Sequence, residues 1–203
     1  MNIKENDNLP NSEVFILEDG EPVKKNIENL FKNKKVVIFG LPGAYTSVCS
    51  AKHLPGYVNM FEKYKEKGID QIICISVNDP FVMNAWGKDL GLKSITLIPD
   101  GEGVLTSQIG MLVDKPGTKF GKRSWRYSAF VADGIVKKMF IEDGINNISD
   151  ENVGDPYEES KPEKILDLLL NFILDLIHCI HLILCNLTWP RITAFYYTQS
   201  RHY

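Results

Sequence analysis

Two unbroken apolar runs limit what this chain can become. Val36-Val37-Ile38-Phe39 is β-branched and aromatic throughout, and Ile72–Val77 (IICISV) carries no charge. A strand buried on one face alternates polar and apolar residues. A strand buried on both faces reads as a continuous apolar run, typical of a central parallel strand. Between the two runs a helical pattern extends from about Ser47 to Lys67, and Gly68 closes it. Pro55 and Gly56 fall inside that pattern and predict a kink. Two parallel strands joined by a helix make a βαβ unit, so an α/β sheet is expected.

The punctuation along the rest of the chain extends that unit. Val14–Leu17 is a short strand candidate ahead of the turn signal Asp19-Gly20-Glu21-Pro22, and Asn26–Phe31 reads as one or two helical turns. Asp79-Pro80 opens a helix to about Leu90, Gly91 caps it, and Thr96–Ile98 is a third strand. Gly103–Ile109 reads as a short helix and Lys115–Lys122 (KPGTKFGK) as a loop. Arg126–Ala132 and Ile135–Ile141 alternate around Asp133-Gly134, a two-residue hairpin signal. Pro162 suits the first position of a closing helix. Parallel strands, then a hairpin, then a helix predict a thioredoxin-like fold, with a central mixed sheet flanked by helices.

Composition bounds the function classes. The 203 residues are 44% hydrophobic, enough to bury a sizeable core, and carry a net charge of −3. That excludes a disordered chain and a small disulfide scaffold, and without a basic excess no nucleic-acid partner is expected. The charge is uneven: residues 1–164 hold 45 charged side chains, whereas residues 165–203 hold only Asp167, Asp175, Arg191 and Arg201. The expected organisation is therefore a domain over 1–170 and an apolar C-terminal extension over 171–203. The start, MNIKENDNLPNSEVF, has no apolar stretch of signal-peptide length. The four cysteines, at 49, 74, 179 and 185, show no framework spacing. Both features point to a reducing compartment, the cytoplasm, with an organelle left open if targeting residues precede this start.

The most informative stretch for chemistry is Pro42-Gly43-Ala44-Tyr45-Thr46-Ser47-Val48-Cys49, between a buried strand and a long helix. A cysteine in the first turn of a helix feels unpaired N–H groups and the positive end of the dipole, which stabilise the nucleophilic thiolate. Thr46, three residues earlier, can face that sulfur. The local spacing is also compatible with a small buried hydrophobe after a turn.

Val36–Val58 (VVIFGLPGAYTSVCSAKHLPGYV) resembles the active-site segment of a peroxiredoxin, whose signature is PGxxTxxC, and His53-Leu54-Pro55-Gly56 narrows the resemblance to the type-five subfamily, dependent on glutaredoxin or thioredoxin. Ser76-Val77-Asn78-Asp79 with Phe81-Val82, Ala85-Trp86-Gly87, and Arg126-Tyr127-Ser128 agree with it, over roughly residues 10–170. The resemblance implies a thiol peroxidase reducing hydrogen peroxide and alkyl hydroperoxides through a sulfenic acid, without a cofactor or metal. It makes Cys49 the peroxidatic cysteine and Thr46 the hydroxyl that bonds sulfur and peroxide. Pro42 becomes the proline that shields the thiolate, and Arg126 the arginine beside the sulfur. The alternative is a redox sensor that passes Cys49 oxidation to a partner. Ser47 stands where many family members have proline, and serine suits a helix start.

No cysteine lies between 75 and 178, so the late-loop resolving cysteine of some family members is missing. This predicts a one-cysteine mechanism regenerated by glutathione with glutaredoxin, or by thioredoxin. Cys74 is expected in core packing, with modification by glutathione or a secondary redox role as the alternative; Trp86 and Trp125 are expected in the core or at an interface, and His53 is expected to pack or lie on the helix surface without a catalytic role. The loops Pro42–Thr46 and Lys115–Gly121 border the site in this family and form its homodimer face, so a homodimer is expected. In the tail, Ile165–Leu187 is nearly all apolar, but Asp167 and Asp175 leave only Leu176–Pro190 free of charge, short of the ~20 residues a spanning helix needs. Three readings stay open for it: a membrane or membrane-surface anchor, a helix packing on the domain or a partner, and sequence not selected for folding. His178, Cys179, His181 and Cys185 have helical spacings that zinc can use, and Cys179 or Cys185 is a candidate resolving thiol.

Overall fold

The computed structural model describes residues 3–115, 118–145 and 154–171. The five-stranded sheet is built from β3 (Lys35–Leu41), β4 (Gln71–Ser76), β5 (Thr96–Pro99), β8 (Tyr127–Ala132) and β9 (Ile135–Ile141), in the order β5-β4-β3-β8-β9. β3 runs parallel to β4, and β4 to β5, whereas β8 and β9 add antiparallel. The sheet is therefore mixed, as the sequence predicts. The helices are α1 (Glu28–Phe31), α2 (Leu54–Asn59), α3 (Phe61–Glu66), α4 (Pro80–Asp89), α5 (Val104–Ile109) and a closing helix α6 over 162–171.

β3 is covered on both faces. Val36 and Ile38 join one core cluster with Ile73, Ile75, Ile98 and Trp125. On the other face Phe39 stacks on Tyr57 of α2, with ring centroids 4.2 Å apart. Each such side chain contributes roughly 1.5–3 kcal/mol when fully buried, which explains the unbroken apolar run. Gly40 is set by a close approach: a Cβ there would lie 2.1 Å from the Tyr127 ring on the paired strand β8.

Three strands escape the sequence pattern. β2 (Glu21–Asn26) pairs with β1 (Glu13–Glu18) across the Asp19-Gly20 turn, so Glu21 and Pro22 belong to the strand. Its burial alternates weakly, and proline is tolerated because the ribbon has a free edge. β6 (Leu112–Lys115) pairs with β7 (Gly121–Ser124) where only a loop is expected, because Ser124 alone is buried in β7 and leaves no periodic signal. The Asp133-Gly134 hairpin forms, with both residues at positive φ.

The long helix runs as expected from Ser47, but its irregularity falls elsewhere. Cys49–His53 is a widened turn in which the Leu54 N–H donates to the Cys49 carbonyl. Pro55, in the first turn of α2, has no N–H and would crowd the carbonyl four residues back. Widening the turn ahead of it relieves that conflict. A second break, at Met60, separates α2 from α3. The compact unit that carries the sheet ends at Leu166, and residues from Asp167 group separately. Except for residue 171, the extension at 171–203 lies outside the described residues. So do the readings of its anchor, its packing, its zinc cluster and its resolving thiols.

Candidate active site

Thr46 is the last residue before the helix, since its carbonyl accepts the Ser50 N–H at 3.0 Å. Cys49 therefore sits in the first helical turn, where backbone N–H groups lack intrahelical partners. No hydrogen bond from the Ser47 hydroxyl occurs among the described residues. Tyr45, just before, is held at φ +61° and donates its hydroxyl to Asp89 of α4 at 2.7 Å. Asn78 accepts the Ala44 N–H at 3.0 Å and the Ser76 hydroxyl at 2.7 Å, pinning the loop to the end of β4.

Arg126 lies at the entry to β8, 77 residues from Cys49 along the chain, and the fold brings its Nη1 to 3.5 Å from the Cys49 sulfur. Both residues are at most 1% exposed. The same Nη1 is 3.0 Å from His53 Nδ1, and Nη2 donates to Asp155 at 2.5 Å. Burial alone would weaken the arginine's hold on its proton, but Cys49 and Asp155 outweigh it, so its pKa is raised. The Thr46 hydroxyl donates to the Gly43 carbonyl at 2.8 Å, leaving its oxygen lone pairs to accept. Pro42 is buried at the exit of β3.

Three of the groups around this centre, Asp155, Tyr157 and Glu142, were not singled out from sequence. Of the two readings for His53, packing or helix surface, the structure shows packing: it is fully buried, and its ring lies 4.9 Å from those of Phe39 and Tyr157. Burial first, and Arg126 second, hold its pKa well below the usual histidine value. The Ser160 carbonyl opposes that shift, and Nε2 forms no hydrogen bond among the described residues. Asp155 and Tyr157 lie within the stretch Asn146–Pro162, whose sequence is polar and rich in turn residues, and the Arg126 guanidinium lies 5.6 Å from the Tyr157 ring centre. Glu142, buried just after β9, accepts the N–H groups of Glu158 and Ser160 and the Ser160 hydroxyl, which ties that segment over the site. A Glu followed at a distance by a Gly-Asp-Pro turn is too common a pattern to have revealed this.

The other candidates fall as the sequence suggests. Cys74 is fully buried in β4, and burial pushes its thiol pKa well up. Trp86 and Trp125 are core residues, each 1% exposed; their indoles donate to the Ser50 hydroxyl and the Glu142 carbonyl. Among the described residues no group of three or more His, Cys, Asp or Glu side chains could hold a metal, and no helix is long and apolar enough to cross a membrane.

A buried thiol at a helix start, hydrogen-bonded by an arginine from a neighbouring strand, is an arrangement for nucleophilic attack on a small polar substrate. Comparison with known proteins agrees. The Redoxin family model matches residues 4–155. A peroxiredoxin of Synechocystis, sll1621, is 50% identical over 145 residues, covering 71% of this chain and 75% of its own. The hybrid peroxiredoxin hyPrx5 of Haemophilus influenzae is 48% identical over 140 residues, covering 69% of this chain and 55% of its own. The crystal structure of a Plasmodium falciparum antioxidant protein, described as a 1-Cys peroxiredoxin, superposes with a TM-score of 0.75 at 36% identity, covering 83% of this chain and 99% of that one. On these likenesses the chain belongs to the peroxiredoxins, in their type-five branch, and is a thiol-dependent peroxidase.

Proposed function

We infer that Cys49 is the peroxidatic cysteine and that it is regenerated by an external thiol. The observation that carries this is the buried 3.5 Å contact between the Arg126 guanidinium and the Cys49 sulfur. In the reaction the thiolate attacks one peroxide oxygen. An S–O bond forms, the O–O bond breaks, and the departing hydroxide or alkoxide takes up a proton to leave as water or alcohol. Arg126, which keeps its proton, supplies fixed donors to the thiolate and to the oxygen as its negative charge develops. The Thr46 oxygen accepts a hydrogen bond from the O–H of the bound peroxide, and Pro42 keeps bulk water off the sulfur.

The product is a sulfenic acid on Cys49. One glutathione condenses with it, releasing water and leaving a mixed disulfide. A second thiol, from glutathione with glutaredoxin or from thioredoxin, reduces that disulfide and restores Cys49. The absence of a cysteine from 75 to 178 supports this one-cysteine cycle. The scarcity of cysteines supports a reducing compartment such as the cytoplasm, and the charge asymmetry supports a peroxidase domain over 1–170. Tyr45, Phe81 and Phe120, large side chains left 54%, 56% and 40% exposed, support a homodimer through the loops beside the site.

Treating the full chain with one equivalent of peroxide and a sulfenic-acid trap tests the cycle by mass spectrometry. The expected adduct is on Cys49, with no disulfide to Cys74, Cys179 or Cys185. A Cys49 disulfide to one of these, formed before reductant is added, would overturn the one-cysteine reading.

A further inference from the structure

We propose that His53 is a positioning residue for peroxide reduction: as a neutral acceptor, it holds the Arg126 guanidinium against the Cys49 sulfur. This rests on the reading of Cys49 and Arg126 given above and adds a residue to it. The hydrogen-bond accounting is specific. Nη1 of Arg126 has two N–H donors and two neighbours, the Cys49 sulfur at 3.5 Å and His53 Nδ1 at 3.0 Å. Nη2 is held by Asp155, and Nε has no partner among the described residues. At 1% exposure the guanidinium has little access to water that could replace a lost partner. Removing the imidazole would free one end of Nη1, and the group would be fixed chiefly by Asp155, on Nη2.

An arginine can only donate, so His53 Nδ1 must offer a lone pair. The imidazole is therefore the tautomer with hydrogen on Nε2. An imidazolium has no acceptor and would face the arginine charge directly. Phe39 from β3, Tyr57 from α2 and Tyr157 from the segment before α6 bury the ring and, with Arg126 itself, favour the neutral form; of the polar groups facing it only the Ser160 carbonyl opposes that. Neutrality also matters for the chemistry. Asp155 aims the guanidinium but offsets its charge, whereas an uncharged acceptor aims it without taking charge from the thiolate and the breaking O–O bond. The widened turn Cys49–His53 lets two side chains four residues apart share one nitrogen of Arg126.

The test measures two rates on the full chain at neutral pH: oxidation of Cys49 by hydrogen peroxide, and alkylation of Cys49 by iodoacetamide. Alkylation needs the thiolate and access to it, but no donor aimed at an O–O bond. His53→Leu is expected to slow peroxide oxidation about 10–100-fold and alkylation by no more than about threefold. His53→Gln, whose amide oxygen can accept, is expected to recover part of the loss. Equal falls in both rates, or no fall in the peroxide rate, would overturn the proposal. In case His53→Leu does not fold, the nitrogen NMR signals of the unmodified protein decide: the Nε2–H tautomer is expected, and an Nδ1–H tautomer or an imidazolium at neutral pH contradicts it. If Cys49→Ser still consumed peroxide, the underlying reading would fail. If it did not, and His53→Leu oxidised at the parent rate, only the role of His53 would fail.

Discussion

At the scale of single residues, the proposed chemistry depends on a buried cation, Arg126, that touches Cys49, His53 and Asp155. Arg126→Gln leaves Cys49, His53 and Asp155 facing an uncharged amide, and Asp155 becomes a half-buried carboxylate without its partner. Loss of one preorganised donor at an oxyanion costs about 10²–10³ in rate, so peroxide reduction is expected to fall by that much in stopped-flow oxidation of the variant. Retention of a tenth of the parent rate would show that Arg126 acts only in packing. Cys49 and Arg126 were reached through the resemblance of the PGxxTxxC stretch and of Arg126-Tyr127-Ser128 to the family's blocks; local spacing alone left Cys49 open to an inert buried reading and gave Arg126 no role. His53 as an acceptor and Asp155 as a counter-ion were not legible in the sequence. They meet Arg126 across 73 and 29 residues, and only the completed sheet brings those segments together.

At the scale of elements, the sheet order follows from the two apolar runs and the Asp133-Gly134 turn, all visible as pattern. β2 and β7 were not visible, because edge ribbons bury few side chains and leave no clean period. The kink expected at Pro55 became a widened turn ahead of it, a difference decided by how the helix relieves a missing N–H, which periodicity does not encode. The segment from Gly154 to Ser160 is held by the Glu142 carboxylate. Burial opposes its charge, but the hydrogen bonds from Ser160, Glu158 and Glu159 prevail, so its pKa is lowered from the ordinary 4.5. A group depressed in the folded state stabilises above its unfolded value, and that stability fades as pH falls through the folded value. Glu142→Gln is expected to destabilise the protein by about 2 kcal/mol at neutral pH. The gap should narrow steadily below pH 4.5, as read from urea unfolding at several pH values. A gap independent of pH would assign Glu142 a packing role alone.

At the scale of the whole molecule, three exposed aromatic side chains near the loops that border the site call for a partner surface. Sedimentation at micromolar concentration is expected to give twice the 23.0 kDa chain mass, and a monomer there would contradict the homodimer. One buried thiol, Cys49, is proposed to carry the peroxidase activity with an external reductant. The most direct measurement is peroxide consumption with glutathione and glutaredoxin, comparing the full chain with Cys49→Ser. The expected result is multiple turnover by the parent and none above background by the variant. Turnover that survives the substitution would place the reacting sulfur elsewhere and contradict the claim.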